Sequence, residues 1–209
     1  NLEGKEIIVG ISGIGEENAK KFLNALLDKF KISLLISVGF CGALNQTLKV
    51  GDIVIGQRLS RINNGKISTQ ELPIENSLCK NNNPWPDKNL VGGALRAATL
   101  SNKIPYPYKV QFGTIHHVDH IVEAASEKAK LRELTGADAI DMESYPLAEM
   151  AQTKGIPFLT IRSVSDEAGH NLNVGFQKFI NSSKGLSPFK AAWHLLTHPR
   201  ASFHVFRLQ

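Results

Sequence analysis

Two hydrophobic patterns alternate along most of the chain. Short, nearly continuous apolar runs predict strands, and longer stretches with apolar residues every third or fourth position predict helices. The strands are predicted at residues 6–11, 33–38, 53–57, 108–118, 137–142 and 157–164. The helices are predicted at residues 16–30, 89–101, 122–134 and 143–153. This alternation predicts an α/β fold of three layers, αβα, around a central, mixed and mostly parallel sheet.

The segments between these runs complete the predicted organisation. Residues 39–44 are small and predict a tight turn, whereas residues 61–87 are polar and asparagine-rich and predict a long loop. Residues 1–183 are predicted to form one domain, followed by a basic, aromatic and helical extension at 184–209. On the helix at 122–134, Lys128 is predicted to lie on the exposed side.

The stretch from 138 to 166 holds the most informative polar residues. One predicted strand delivers Asp141, Met142 and Glu143 to its carboxyl end, and the next delivers Ser165 and Asp166. We expect the carboxylates of Glu143 and Asp166 to arrive side by side from neighbouring strands, where ligands bind in such sheets. One can act as a general acid on a leaving group while the other accepts hydrogen bonds from sugar hydroxyls. The alternatives are a helix cap for Glu143 and a turn or cap residue for Asp166.

Two further patterns suggest weaker possibilities. His116, His117 and His120 lie near Asp119, but their spacing fits no common zinc pattern, and we predict no metal. Residues 10–15 (GISGIG) look like part of a dinucleotide-binding fingerprint without its full spacing. We therefore predict no cofactor, although phosphate stays open as a co-substrate.

Cysteine content and hydropathy bear on the cellular compartment. Cys41 and Cys79 are too few for a disulfide framework, and no run of 18 apolar residues predicts a membrane span. We expect a cytoplasmic protein. Cys41 has no evident base partner, so it is expected to be a packed side chain rather than a nucleophile.

The net charge of +5 is concentrated at the end of the chain. No acidic residue follows Glu167, whereas five of the 24 basic residues do, and the other 19 balance the 19 acids. Aromatic residues are interleaved with these charges, a pattern typical of contact with nucleic acid or with an anionic membrane. The alternative is a helix docked on the core with solvated lysines.

Several short motifs, in order, resemble one enzyme superfamily. They are residues 12–15 with Asn18 and Ala19, residues 39–44, residues 48–54, Asp141-Met142-Glu143, and Ser165-Asp166 followed by Ala168. Together they span about residues 8–180 and resemble the purine nucleoside and uridine phosphorylases. The closest likeness is to the nucleosidase branch that cleaves methylthioadenosine and S-adenosylhomocysteine.

The resemblance implies a role for each matching residue. Asp166 would protonate or hydrogen-bond N7 of the purine, with Ser165 orienting it, and Glu143 would bind the 2′- and 3′-hydroxyls of the ribose. Met142 would lie beneath the ribose. The remaining residues expected to contact the nucleoside are Asp141, Gly39, Phe40, Cys41, Ile121 and Val122.

Two departures from the superfamily pattern bear on the reaction. Phosphorylases place an Arg and a Ser where this chain has Ser37 and Phe40, and phosphate capture normally needs charge-assisted donors. Hydrolysis is therefore favoured over phosphorolysis. The nucleosidases also carry a first strand ending in a Glu that activates water, and residues 1–7 contain no equivalent. Glu16 and Glu17 are poor substitutes. We expect that the first strand is missing from this sequence; if the protein instead lacks that Glu, a non-catalytic nucleoside-binding relative is the alternative.

A third feature resembles one subfamily. Phe40, the sequence Asp141-Met142-Glu143-Ser144 and the basic tail are similar to the hopanoid-associated phosphorylase-like proteins, which are thought to remove adenine from an adenosyl lipid. The resemblance implies a small-molecule nucleoside partner rather than nucleic acid, and a homo-oligomer. It also suggests peripheral contact of the tail with the inner membrane.

Overall fold

The computed structural model describes residues 6–72 and 108–172. These residues form three helices and six strands, numbered here in chain order. The helices are α1 (Glu16–Leu27), α2 (Ala125–Thr135) and α3 (Ser144–Thr153). The strands are β1 (Leu35–Ala43), β2 (Ile53–Asn63), β3 (Lys66–Glu71), β4 (Val110–His117), β5 (Ala139–Asp141) and β6 (Phe158–Asp166).

The six strands form one mixed sheet in the order β3-β2-β4-β5-β1-β6. The two long ladders, β1 with β6 and β2 with β4, are parallel, as is the short ladder of β4 with β5. The pairs β1–β5, β2–β3 and β2–β6 are antiparallel. Because β2 pairs with β6 as well as with β4, five strands close into a ring and β3 extends it. The predicted mixed α/β fold is confirmed.

Two hydrophobic clusters lie against this sheet. The larger one joins α1 and α3 to the strands, and α1 contacts α3 directly. The smaller one contains Leu44, Val118, Val122, Ala137 and Ile140, with Leu131 of α2 packed against it. Helix α2 therefore belongs to a different part of the core from α1 and α3.

The predicted strand at 6–11 is wrong. These residues form no strand, and Val9 and Ile11 are 88% and 62% exposed. A strand requires a neighbour for its backbone hydrogen bonds. None of the strands in the described ranges pairs with this segment, so its apolar side chains are not covered by the core.

The predicted tight turn at 39–44 is also wrong, because β1 continues through most of it. Gly39 to Cys41 pair with β6, while Gly42 and Ala43 pair with β5. The glycines allow close packing rather than a turn. A Cβ on Gly42 would lie 3.1 Å from Asp166 Oδ2 and 3.2 Å from Ile140 Cγ1.

The first part of the predicted loop at 61–87 is a β-hairpin. Strand β2 runs to Asn63, and β3 returns from Lys66 with the two residues paired. Asn64 and Gly65 connect them with φ angles of 48° and 73°. Positive φ at both positions is the geometry of a tight hairpin turn, for which Asn-Gly is a favoured pair. The rest of that loop beyond Leu72 and the predicted helix at 89–101 lie outside the described residues.

None of the helices in the described ranges has the length and apolar character needed to span a membrane. The C-terminal extension at 184–209 lies outside those ranges.

Candidate functional site

Asp166 is the last residue of β6, and both of its carboxylate oxygens face hydrogen-bond donors. Ser165 Oγ lies 2.6 Å from Oδ1 and 3.0 Å from the carbonyl oxygen of Cys41. Lys128 Nζ donates to Oδ2 from α2. The carboxylate is thus fixed between an exposed serine and a buried ammonium group.

The prediction that the Lys128 side chain is exposed is wrong. It was expected on the exposed side of its helix, but it is completely buried. Leu131, three residues later and on the same face of the helix, packs against the smaller core cluster. Position 128 therefore faces inward, and the end of β6 lies opposite it.

Glu143 lies between β5 and α3, and its carboxylate returns to the start of α1. Its Oε1 accepts a hydrogen bond from the backbone N–H of Gly15 at 2.6 Å. The side chain makes no cap bond to α3. The helix-capping alternative is therefore wrong, since Asp141 accepts the N–H of Ser144 instead, at 3.2 Å from each oxygen.

Burial raises the pKa of the Glu143 carboxyl, and the nearby Asp141 carboxylate adds to this effect. The N–H of Gly15 and the Arg162 guanidinium oppose it. The remaining upward shift means that the folded protein holds this carboxylate partly desolvated. Further hydrogen-bond donors would stabilise its charged form.

A buried ion pair supports the segment that carries Glu143. Arg162 Nε donates to Asp141 Oδ2 at 2.7 Å, and the two side chains are 2% and 1% exposed. The guanidinium also donates to Ser37, at 3.0 Å to its carbonyl oxygen and 2.9 Å to its hydroxyl. Ser144 Oγ donates to the same oxygen of Asp141 and lies 2.7 Å from Thr160 Oγ1. These bonds connect β5, β1 and β6.

The two carboxylates were predicted to arrive from neighbouring strands. This prediction is wrong, because the strands that deliver them are not neighbours. Strand β1 lies between β5 and β6. At its end, Gly42 pairs with Ile140 on one side and Asp166 on the other. The absence of a side chain at Gly42 allows the side chains of Asp166 and Ile140 to approach β1 closely from the two flanking strands.

Three of the expected contact residues lie on β1 and differ in accessibility. Phe40 is 39% exposed, whereas the Cys41 side chain belongs to the larger core cluster. Burial raises the pKa of the Cys41 thiol, and the carboxylates of Asp141 and Asp166 add to this effect. Such a thiol is not ionised at neutral pH. Gly39 faces the Arg162 guanidinium, 3.5 Å from the position of a Cβ.

The other expected contact residues lie around the smaller core cluster. Val122 is buried in it, Ile121 is partly exposed, and Met142 packs against it. The Met142 methyl group also lies 3.8 Å from where a Cβ on Gly15 would be. Met142 therefore contacts the same glycine turn that binds Glu143.

The three histidines point to different partners. His116 Nδ1 lies 2.8 Å from Ser60 Oγ, and burial lowers its pKa to about 4. His120 is bound by Asp119 and Glu127, and these hydrogen bonds raise its pKa. Within residues 6–72 and 108–172, no three His, Cys, Asp or Glu side chains lie together in a way that could hold a metal ion.

The third histidine, His117, joins a cluster around Glu16. Its Nε2 lies 3.2 Å from Glu16 Oε2, and Arg61 donates to the same oxygen while stacking 5.6 Å from the Tyr145 ring. Lys20 Nζ donates to the other oxygen at 2.6 Å. Burial alone would raise the pKa of Glu16, but the bonds from Lys20 and Arg61 lower it. The carboxylate is thus engaged in ion pairs next to Gly15.

The environment of Glu143 predicts a stability cost that depends on pH. Since its pKa is higher in the folded protein than in the unfolded chain, stability is lost as pH rises through the folded pKa. Glu143→Gln should therefore raise the free energy of unfolding, relative to wild type, more at pH 7 than at about pH 3.5. Urea unfolding at both pH values measures this, with Glu17→Gln, on an 86% exposed side chain, as the control. An equal difference at both pH values would contradict it.

Comparison with known proteins agrees with this architecture. The family model of the phosphorylase superfamily matches residues 1–186. The chain is 32% identical to the 5'-methylthioadenosine/S-adenosylhomocysteine nucleosidase of Bacillus pumilus, over 87% of this chain and 77% of that protein. It is 28% identical to the aminodeoxyfutalosine nucleosidase of Campylobacter jejuni, over 86% and 76% of the two chains.

A solved structure is similar as well. The crystal structure of the Campylobacter jejuni 5'-methylthioadenosine/S-adenosylhomocysteine nucleosidase superimposes with a TM-score of 0.60 at 25% identity, covering 81% of this chain and 71% of that one. The match of the family model to most of the chain, the nucleosidase relatives and the shared fold lead to one conclusion. The chain belongs to the phosphorylase superfamily.

Proposed function

We propose that this protein hydrolyses the N-glycosidic bond of a purine nucleoside. The observation that carries the proposal is a pair of carboxylates in unlike surroundings at the ends of the two strands that flank β1: Asp166 ends β6, and Glu143 follows β5. Asp166 is held by a serine and a lysine, whereas Glu143 is partly desolvated. Carboxyl groups in different environments are suited to different tasks in glycoside cleavage.

Asp166 would act on the purine base of the nucleoside. In this scheme Asp166 is protonated on Oδ1, with Oδ2 still accepting from Lys128, and gives that proton to N7 of the purine while the bond from the anomeric carbon to N9 breaks. The electron pair of that bond goes to the base, which leaves as neutral purine. The Asp166 side chain is 11% exposed, so solvent can return the proton between turnovers. Proton transfer of this kind makes a poor leaving group a good one.

Glu143 would act at the sugar. Two ribose hydroxyls would supply the donors that stabilise its charged form, beyond the N–H of Gly15. The ionised carboxylate would also stabilise the positive charge that develops on the ribose in an oxocarbenium-like transition state.

Water is the proposed nucleophile: its oxygen bonds to the anomeric carbon as the purine leaves, and its surplus proton passes to solvent. Phosphate is disfavoured in this role, because the cation near β1 is already neutralised. Arg162 approaches Gly39 and Ser37, the strand where phosphorylases hold phosphate, but it is ion-paired with buried Asp141. Phe40 offers no donor on the same strand. A phosphate would have to compete with Asp141 for this guanidinium.

Adenine release tests the proposal. The substrates are methylthioadenosine, S-adenosylhomocysteine, adenosine and an adenosyl lipid, each with and without phosphate. We expect release without phosphate, with free ribose or its conjugate as the second product. Turnover that requires phosphate and yields a ribose 1-phosphate would instead establish the phosphorylase alternative. Nucleoside binding without turnover would establish the non-catalytic alternative.

The lipid substrate, the membrane contact, the cytoplasmic location and the homo-oligomer stay predictions. The basic tail on which the membrane contact rests lies outside the described residues. Sedimentation with anionic vesicles, with and without residues 188–209, tests that contact. Equal binding by both forms would exclude it.

A further inference from the structure

Lys128 is the one residue of α2 that is buried, and its ammonium group is fully engaged. Nζ donates to Asp166 Oδ2, to the carbonyl oxygen of Glu167 at 3.0 Å and to that of His170 at 3.4 Å. An ammonium group has three donors, and here each has an acceptor. All three acceptors lie at the end of β6 or in the turn that follows it.

Burial of this ammonium group is costly unless its partners compensate for lost hydration. A hydrophobic residue at position 128 could pack between Leu131 and the core without that cost. The charge is instead directed at a carboxylate on another element, 38 residues further along the chain. This placement fits a role that depends on Asp166.

The two carboxylate oxygens of Asp166 have different surroundings. Oδ2 faces the buried ammonium, and Oδ1 faces the hydroxyl of exposed Ser165. The outer oxygen is therefore on the side from which a ligand can arrive. Rotation of the carboxyl group away from this arrangement would break a charge-assisted hydrogen bond, which is stronger than a neutral one.

We propose that Lys128 is a positioning residue, which holds Asp166 Oδ2 so that Oδ1 is presented to the purine. The proposal rests on the proposed function and names a further residue in it. The ammonium group also fixes the carbonyls of Glu167 and His170, so the carboxyl group and the following turn keep one orientation. Small displacements of catalytic groups are costly to the rate.

Two leaving groups distinguish positioning of Asp166 from a general structural role. Adenine needs protonation to leave, whereas 4-nitrophenolate leaves from a 4-nitrophenyl riboside without it. Lys128→Met should lower kcat/KM for an adenine nucleoside about 10²-fold, and for the nitrophenyl riboside only about twofold. Lys128→Arg should restore part of the loss, since it keeps the charge and a donor.

The controls use the same helix and the same partner. Arg132→Met removes an ion pair of α2 with Asp138, 3.0 Å long, and should affect neither substrate. Lys128→Met combined with Asp166→Asn should be no slower than Asp166→Asn alone, because the lysine acts through the aspartate. Equal loss on both substrates, or additive losses in the double variant, would overturn the proposal.

Adenine binding separates this proposal from the proposed function. If wild type releases adenine from no substrate, the proposed function fails, and calorimetric titration with adenine still tests Lys128. In that case Lys128→Met should weaken adenine binding about tenfold, as Asp166→Asn should, and the double variant should be no weaker. Thermal unfolding checks that Lys128→Met is folded. If the folded variant binds adenine with unchanged affinity, the proposal is wrong.

Discussion

Asp166→Asn is expected to lower kcat for adenine release about 10³-fold while the nucleoside still binds. Asparagine has nearly the same shape: its carbonyl oxygen can accept the hydrogen bond from Lys128, while its amide group can donate to the Ser165 hydroxyl. Its amide cannot transfer a proton to N7 of the purine. Single-turnover rates and equilibrium binding of the same nucleoside, measured side by side, separate the chemical step from binding.

A matched variant tests whether the loss is specific. Asp28→Asn removes an exposed carboxylate that directly follows α1, and it should leave adenine release unchanged. Unchanged turnover in Asp166→Asn would remove Asp166 from the mechanism. A 4-nitrophenyl riboside should lose far less rate than an adenine nucleoside in Asp166→Asn, since its leaving group needs no proton.

Within the described residues from 16 onward, the order of strands and helices apart from β3 could be predicted from the sequence, because burial on one or two faces imposes a visible period. Helix α3 and strand β6, for example, begin within one residue of their predicted positions. The prediction of a strand at 6–11 is wrong because an apolar run indicates only a tendency to be buried. It does not indicate that a neighbouring strand is present. The hairpin at Asn64 and Gly65 could have been found, since Asn-Gly between alternating residues is a strong hairpin signal.

The two carboxylates could be identified from the sequence, but the basic residues that hold them in place could not. Glu143 and Asp166 follow strand patterns and match short motifs. Lys128 reaches Asp166 from a helix, and Arg162 reaches Asp141, two residues before Glu143, from the interior of a strand. At both positions a basic residue in the sequence indicates a solvated side chain. A weak signal existed for Lys128, which lies one turn before the inward-facing Leu131. The partner of a buried charge is a tertiary contact, and periodicity along one element does not contain it.

The ion pair of Arg162 with Asp141 predicts the largest effect on stability. Arg162→Met should lower the free energy of unfolding by about 3–5 kcal/mol, because it leaves the 1% exposed Asp141 side chain without its cation. Urea unfolding at neutral pH measures the change. Arg132→Met, which removes the partly exposed pair with Asp138, should cost about 1 kcal/mol or less.

A double variant separates the cost of an unpaired charge from the contribution of the pair. Asp141→Asn with Arg162→Met removes both charges and keeps an acceptor for the N–H of Ser144. It should be more stable than Arg162→Met alone, since buried ion pairs contribute less than the loss of one partner suggests. If the double variant is the less stable of the two, the Asp141 carboxylate stabilises the fold through Ser144 even without its cation. If the double variant recovers stability but loses adenine release, the pair serves mainly to hold Glu143 at the end of β5.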